Sequence, residues 1–260
     1  MTASKSRFSL FMFTTTMVFF YAPLVVLVIF SFNASKTLHW EGFSLRWYIE
    51  LFFHSRDLWK AFLNSVIIAL TSSVFATALG TLGAIGMYWY RFKLKKYVQI
   101  ISFLPLILPE VIIGVSLLIL FALIGMKLGL FTIFIAHATF NLPYVVLIVS
   151  SRLDEFDHSI IEAAYDLGAR EIDALLKVIV PVSLPAIIAA LLVSLTLSLE
   201  DFVITFFVAG PGSSTLPLHV YSMIRFGVSP VINALSVILI AGSIILAFST
   251  KEIYKYIIQK

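Results

Sequence analysis

Three carboxylates lie within long apolar stretches of the sequence: Glu110, Glu200 and Asp201. A charged side chain at bilayer depth costs at least about 2.5 kcal/mol, so such residues indicate a function such as attracting a cation or relaying a proton. On an ideal helix, Asp201 shares a narrow polar stripe with hydroxyl residues, whereas Glu200 lies on another face. We therefore expect Asp201 to line a polar passage, and the stripe consists of Ser194, Ser198, Asp201 and Thr205.

Glu110 follows two prolines, Pro105 and Pro109. A proline interrupts a helix, so Glu110 is expected at the start of a resumed helix, where backbone N–H groups and the helix dipole favour a carboxylate. Two interpretations of Glu110 stay open, a local helix cap and a residue of the passage.

A second polar patch consists of His137, Thr139 and Asn141 in another apolar stretch. Hydrogen bonding between helices explains such a patch, and a histidine without a second ligand is weak evidence for a metal. The sequence contains no cysteine, no HExxH and no GxxxxGK[ST] phosphate loop. We therefore expect no catalytic residue, metal or cofactor, and any ATP that is used must be bound by another polypeptide.

Composition indicates a polytopic membrane protein. Of the 260 residues, 60% are hydrophobic and 12% charged, and the mean hydropathy is +1.03, whereas soluble domains carry about 25% charged residues. A soluble enzyme is thereby excluded. The net charge of +4 comes from short clusters without interleaved aromatic residues, which disfavours nucleic-acid binding.

Six apolar segments are long enough to cross a bilayer, which needs roughly 20 residues per helix. This predicts an all-α membrane protein forming one domain over residues 1–260. The predicted spans are about 8–32, 61–90, 97–125, 131–151, 184–209 and 233–250.

The positive-inside rule predicts the orientation. With the N-terminus in the cytoplasm, 12 of the 18 Lys and Arg residues fall on the cytoplasmic side. Both termini and the connection 152–183 are then cytoplasmic. That connection contains seven acidic residues against three basic ones, which topology does not require, and either a partner surface or a solvated loop explains it.

The connection contains the polar segment 162–181, EAAYDLGAREIDALLKVIVP. Ser159 and Glu162 have the spacing of a capping box, so a helix should begin near Ile160. Gly168 can adopt a left-handed conformation and end that helix. The next helix should have an apolar face formed by Ile172, Leu175, Leu176 and Ile179.

The order of residues in this segment closely resembles the cytoplasmic coupling loop of ABC importer permeases. The matching positions begin with Glu162-Ala163-Ala164 and continue through Gly168 to Pro181. This resemblance implies the type I ABC importer permease fold, with a coupling helix that contacts an ATPase. It assigns ATPase coupling to Glu162, Ala163, Ala164, Asp166, Gly168 and Pro181.

Further stretches resemble the C-type permease of the spermidine/putrescine branch of this superfamily. They are residues 40–48, 151–153, 194–201 and 216–230. The resemblance implies a multi-pass permease subunit in a bacterial inner membrane. Its implied partners are a second homologous permease, a pair of ATP-binding subunits and an extracytoplasmic polyamine-binding protein. Carboxylates on the passage, Asp201 with Glu200 and Glu110, would offset the lost hydration of a polyamine cation.

Two alternatives stay open. In an ion-coupled secondary carrier, Glu110, Glu200 and Asp201 would relay protons, and no ATPase would be needed. In an importer with another cargo, such as an iron chelate, thiamine or a phosphonate, the fold and partners would be similar. The coupling-loop pattern argues against the first alternative, and acidic residues along the passage argue against the second.

Overall fold

The computed structural model describes residues 3–37, 39–155, 157, 159–226 and 230–258. These residues form helices and connections, and their only ladder contact is an isolated bridge between Asn33 and Phe43. The helices are α1 Ala3–Ser31, α2 Arg46–Ile49, α3 Arg56–Trp89, α4 Lys95–Ile107, α5 Glu110–Leu123, α6 Leu130–Asp154, α7 Ser159–Asp166, α8 Glu171–Ala174, α9 Val180–Glu200, α10 Val203–Val208, α11 Leu216–Phe226 and α12 Pro230–Ile258.

The predicted all-α membrane class is confirmed. By length and composition, four helical runs can cross a membrane, namely Arg7–Ser31, Arg56–Trp89, Leu130–Asp154 and Glu171–Glu200. A fifth crossing results if α4 and α5 count as one span. The described apolar part of α12, Pro230–Ile245, is shorter. The count of six spans therefore stays a prediction, as does the assignment of residues 1–260 to one domain.

The predicted span over 97–125 is a bent pair of helices. The chain bends by 112° between α4 and α5. Leu108 and Pro109 are both extended there, with ψ angles of 138° and 135°. A residue before proline avoids the helical region because it would clash with the proline ring. Glu110 therefore starts a new helix, as the prolines suggested.

The predicted span 184–209 is also interrupted. Helix α9 ends at Glu200, and Asp201 has an extended conformation with a ψ angle of 122°. Helix α10 resumes at Val203 and continues to Val208. The predicted stripe is therefore divided: Ser194 and Ser198 lie on α9, Asp201 lies at the break, and Thr205 lies on α10.

The described chain forms two compact units. The larger unit comprises residues 58–219, and its central helix α6 packs against α9, α4 and α10, while α5 packs against α10. Helix α3 approaches α6 closely at Gly80, where a Cβ atom would lie 2.6 Å from Val145 Cγ1. Two apolar clusters fill this unit, one around Val145, Val149 and Leu153 and one around Phe121 and Ile204.

The second unit comprises residues 1–57 and 220–260, in which α1 packs against α12. Asn33 orders the connection after α1, because its side chain donates to the carbonyl of His39 at 2.8 Å and accepts from the N–H of Glu41 at 3.0 Å. The Trp47 ring is buried and donates to the Asn33 carbonyl at 2.6 Å. These bonds connect α2 with the end of α1.

Candidate functional site

The break between α9 and α10 is held by the side chain of Asp201. Its Oδ1 accepts the backbone N–H of Ile204 at 3.2 Å, and its Oδ2 accepts the backbone N–H of Thr205 at 2.9 Å. The Thr205 hydroxyl also donates to Oδ2, at 2.7 Å. Backbone groups in an apolar environment need such partners, because water is not available to them. Asp201 thus caps the N-terminus of α10.

His137 connects this break to α6. Its ring is fully buried, and Nε2 lies 3.1 Å from Asp201 Oδ2 and 2.9 Å from Thr205 Oγ1. The other ring nitrogen, Nδ1, lies 2.6 Å from Ser198 Oγ, which in turn contacts Ser72 Oγ of α3 at 3.2 Å. One polar network therefore joins α3, α6, α9 and α10.

The structure brings the four residues of the predicted stripe together, but it buries them. Asp201 is 8% exposed, and Ser194, Ser198 and Thr205 are buried as well. Ser194 Oγ has no hydrogen-bond partner among the described residues. Asp201 therefore has internal donors around its carboxylate instead of an open face. Its predicted role in a passage stays a prediction.

Glu110 and Glu200 have the opposite environment, because both side chains are exposed in this chain. Glu110 is in the first turn of α5, and Glu200 is the last residue of α9. Helix α5, which begins at Glu110, packs against α10, which follows the break at Glu200 and Asp201, so the three carboxylates lie in one region. Gly114 permits this arrangement, because a Cβ atom there would lie 2.7 Å from the Phe207 ring of α10.

In the sequence alone, His137 and Asp201 belong to two separate polar patches. They are 64 positions apart, and no local pattern connects them. The available signal was that each is a titratable group in an apolar segment, and such groups find polar partners inside a membrane protein. The fold was needed to show that they pair.

At the cytoplasmic segment, the predicted role of Gly168 in ending a helix is confirmed. Its φ angle is +83°, which is the left-handed conformation. The N–H of Ala169 donates to the Ala164 carbonyl at 3.0 Å, and the N–H of Gly168 donates to the Tyr165 carbonyl at 2.8 Å. This pair of bonds is a Schellman motif, which satisfies the last carbonyls of α7.

The start of α7 differs slightly from the prediction. The helix begins at Ser159, one residue early, and Asp157 Oδ1 accepts the Ser159 N–H at 2.9 Å. The cap is therefore an aspartate side chain placed before the predicted capping box. The physical reason is that an aspartate two residues ahead of an N–H can accept its proton in a local turn.

Helix α7 is anchored by one residue and exposes the others. Ile161 is buried among apolar residues of α3, α6 and α9. Glu162, Ala163 and Asp166 are exposed, whereas Ala164 is half-buried. Leu167, at the end of the helix, is 89% exposed. The outward face of α7 thus combines two carboxylates with apolar surface.

The predicted apolar face after Gly168 is only partly buried. Ala174 and Ile179 are buried, but Ile172 and Leu176 are 51% and 59% exposed. The reason is a π-helical turn over Leu175–Ile179, which rotates the register between α8 and α9. The chain then enters α9, whose second residue is the exposed Pro181.

The basic residues of segment 152–183 are already paired within it. Arg152 lies 3.6 Å from Glu155, and Asp173 contacts Arg170 at 3.0 Å and Lys177 at 2.8 Å. Among the described residues these are the ion pairs of the segment, and none of them includes Glu162 or Asp166.

A cavity of about 370 Å³ opens beside α7. It lies between the end of α3, the start of α4 and α7, and its lining combines aromatic, basic and acidic side chains. These are Tyr88, Trp89, Arg91, Lys95, Ile161 and Glu162. Within the described part of the chain, no group of three or more His, Cys, Asp or Glu residues could hold a metal ion.

Comparison with known proteins gives a consistent result. Residues 76–260 match the family "Binding-protein-dependent transport system inner membrane component". The spermidine/putrescine transport system permease protein PotC of Escherichia coli strain K12 is 40% identical over 241 residues, which cover 92% of this chain and 91% of the relative. PotC of Haemophilus influenzae is 42% identical over 245 residues, covering 93% and 95%.

The putrescine transport system permease protein PotI of Escherichia coli strain K12 is 42% identical over 240 residues, covering 88% of this chain and 84% of the relative. Among solved structures, a bacterial ABC transporter for import of the acidic polysaccharide alginate matches with a TM-score of 0.72 at 16% identity, covering 97% and 98%. The MetNI methionine ABC transporter, in an inward-facing conformation, matches with a TM-score of 0.63 at 21% identity, covering 76% and 93%.

The fold of ABC importer permeases is thereby shown, and the apolar helices make the protein a multi-pass membrane protein. The chain belongs to the family of inner membrane components of binding-protein-dependent transport systems, and its relatives include polyamine permeases.

Proposed function

We propose that the chain is a permease subunit of an ATP-driven importer of polyamines. The observation that carries this proposal is the identity of 40–42% with spermidine/putrescine and putrescine permeases over most of both chains. The fold alone does not support a choice of cargo, because a structural neighbour imports an acidic polysaccharide. The carboxylates of this chain support a cationic cargo.

The exposed acids Glu110 and Glu200 are the residues that we propose to attract the cargo. Both lie at helix breaks in apolar segments, where lipid contact would be costly. The face that carries them is therefore covered by protein or by water in the assembled transporter. A second, homologous permease on this face would complete a passage lined by these carboxylates. A polyamine entering it would exchange hydration for Coulomb attraction.

Asp201 would contribute to this passage from behind, together with Ser194, Ser198 and Thr205. Its carboxylate has four donors within the chain, so its charge would act on the cargo through the field instead of through a direct bond. Charge separated from the cargo by a short distance still attracts it strongly in a low-dielectric interior. Direct contact would fall to Glu200 and Glu110.

Helix α7 is the proposed contact with an ATP-binding subunit. The exposed carboxylates of Glu162 and Asp166 beside the exposed Leu167 favour a partner whose groove is basic at its rim and apolar at its centre. The side chains of Ala163 and Ala164 are small, so a groove of the partner can approach the backbone of the helix closely. Gly168 and Pro181 fix the directions in which the chain leaves this contact, and closure of the partner would move the helices beyond them.

The orientation that we propose has both termini and segment 152–183 in the cytoplasm of a bacterial cell. A reporter fused after Asp173 should then be cytoplasmic, and one inserted within residues 211–214 should be external. An extracytoplasmic binding protein would deliver the polyamine to the external side. The opposite reporter pattern would contradict this orientation.

The function is tested by uptake of labelled spermidine and putrescine in cells whose own polyamine importers are deleted. The chain is expressed with a second permease, ATP-binding subunits and a polyamine-binding protein from the same organism. We expect ATP-dependent uptake that falls several-fold in Glu200→Gln and Glu110→Gln and is unchanged in Thr139→Ala, an exposed position on α6. Uptake of another solute but not of polyamines would overturn the cargo.

An ion-coupled carrier makes a different prediction in the same assay. Uptake would then collapse when a protonophore dissipates the proton gradient while ATP is maintained, and it would persist without the ATP-binding subunits. The proposed importer requires those subunits and is insensitive to the protonophore under the same conditions.

A further inference from the structure

The hydrogen positions in the buried network around His137 follow from counting donors. Thr205 has one hydroxyl proton, and it donates that proton to Asp201 Oδ2. The oxygen Thr205 Oγ1 must therefore act as acceptor toward His137 Nε2, at 2.9 Å. Nε2 thus carries a proton, which also faces Asp201 Oδ2 at 3.1 Å.

The other side of the ring has the complementary role. Ser198 Oγ lies 2.6 Å from Nδ1, so its hydroxyl can donate to Nδ1 of a neutral ring. Ser72 donates its own proton to the carbonyl of Ile68 at 2.6 Å, so the one hydroxyl proton of Ser198 goes either to Nδ1 or to Ser72 Oγ. The carboxylate of Asp201 is thus approached on one side by the backbone of α10 and on the other by the imidazole of α6.

We propose that His137 is a positioning residue that holds Asp201 and thereby sets where the adjacent Glu200 points. Asp201 directly follows Glu200 at the break, and its extended backbone has no regular helix to fix it. Two contacts fix it instead, its cap on α10 and its bond to His137. The role in transport rests on the proposed function, because it presumes that Glu200 attracts the cargo.

Two substitutions that introduce the same amide group distinguish a positioning role of His137 from a role in filling space only. In His137→Gln, the longer side chain can place an N–H where Nε2 lies, so the bond to Asp201 is retained. In His137→Asn, the shorter amide reaches only the place of Nδ1 beside Ser198. Both variants keep a buried amide in the same network, and they differ in whether that amide reaches Asp201.

The first measurement is spermidine uptake by the complete transporter. We expect His137→Gln to keep uptake within about twofold of the original, and His137→Asn to lower it about tenfold, as for loss of a hydrogen bond to a charged group. In an Asp201→Asn background, the difference between the two His137 variants should disappear. Thr139→Ala, on the same helix and exposed, is the control and should transport normally.

The second measurement does not depend on the cargo. Because the chain contains no cysteine, Thr139→Cys and Glu200→Cys provide two unique positions for spin labels in a complex whose other subunits lack cysteine. The distance distribution between them should be the same with His137 and with His137→Gln, and shifted or broadened with His137→Asn. Equal distributions in both variants would overturn the positioning role. If the original protein transports no polyamine, the proposed function fails while the distance measurement still decides on His137.

Discussion

The break at Asp201 and the exposed helix α7 both contain polar groups in an otherwise apolar chain. The polar groups are paired within the fold at the break, whereas they are exposed on α7. At the break, the carboxylate of Asp201 accepts from two backbone N–H groups and a hydroxyl, and it faces His137. On α7, Glu162 and Asp166 are exposed, and the basic residues of segment 152–183 pair with other acids.

The difference indicates what each region is for. Polar groups that are buried must be paired within the fold, because an unpaired one costs about 1–3 kcal/mol. Exposed acids have no such requirement, and the position of Glu162 and Asp166 near the exposed Leu167 favours contact with a partner. This contrast supports the two proposals that the break at Asp201 presents Glu200 and that α7 contacts a partner.

The largest expected effect is on the stability of the break. Asp201→Ala removes the cap of α10, leaves the N–H groups of Ile204 and Thr205 without their acceptor, and removes one of the two acceptors near His137 Nε2. We expect a loss of about 3–5 kcal/mol in the free energy of unfolding, as when one member of a buried pair is deleted. Thermal denaturation of the purified transporter measures it.

The matched control for that change is Glu200→Ala, the neighbouring carboxylate on the exposed side. It should lower uptake but leave the denaturation temperature almost unchanged. Equal destabilisation by the two substitutions would break the distinction between paired and exposed acids.

A smaller effect on folding but a large one on coupling is expected for Gly168→Val. A side chain in the left-handed conformation costs about 1–2 kcal/mol, and a β-branched one more, so the Schellman turn should distort. A Cβ atom at this position would have no atom within 4 Å, so the cost is one of backbone conformation, not of a clash. Uptake should fall at least about tenfold while insertion and assembly persist.

Gly168→Asn sharpens that test, because asparagine tolerates the left-handed region best after glycine. It should retain most of the uptake. If Gly168→Val transports at the normal rate, α7 does not need its present exit direction and its assigned coupling role is wrong.

The smallest of these effects is expected for the surface charges of α7. The pair of changes Glu162→Gln and Asp166→Asn should weaken association with the ATP-binding subunit by about five- to tenfold, chiefly at low salt, because exposed charges are screened. Glu155→Gln is the control, since Glu155 pairs with Arg152. Binding that is equally weak in control and test variants would show that general charge, not this face, matters.

Much of this architecture follows from local chemistry. The apolar segments predict the long helices, and the conformational freedom of Gly168 predicts the end of α7. The prolines at 105 and 109 mark the bend between α4 and α5, although the sequence analysis retained a single span there. Composition identifies a span by its hydrophobicity, which a bend does not change.

The break after Glu200 was not predictable in the same way. No proline or glycine lies at Asp201 or Phe202, and residues 184–209 are apolar enough to be taken for one helix. The extended conformation is stabilised by contacts with His137 on a helix distant in sequence. Tertiary hydrogen bonds of this kind override local helix preference, and a single sequence does not reveal them. The π-helical turn before α9 also depends on tertiary packing, because the buried Ala174 and Ile179 set its register.

The most direct test of the account is to identify what covers α7 in the living membrane. A photo-crosslinking amino acid replaces Leu167, whose side chain is 89% exposed, and the same amino acid at the buried Ile161 serves as the control. On illumination, position 167 is predicted to cross-link to the ATP-binding subunit and position 161 to other parts of this chain. Cross-links from position 167 only to lipid or to this chain itself would contradict the docking role of α7.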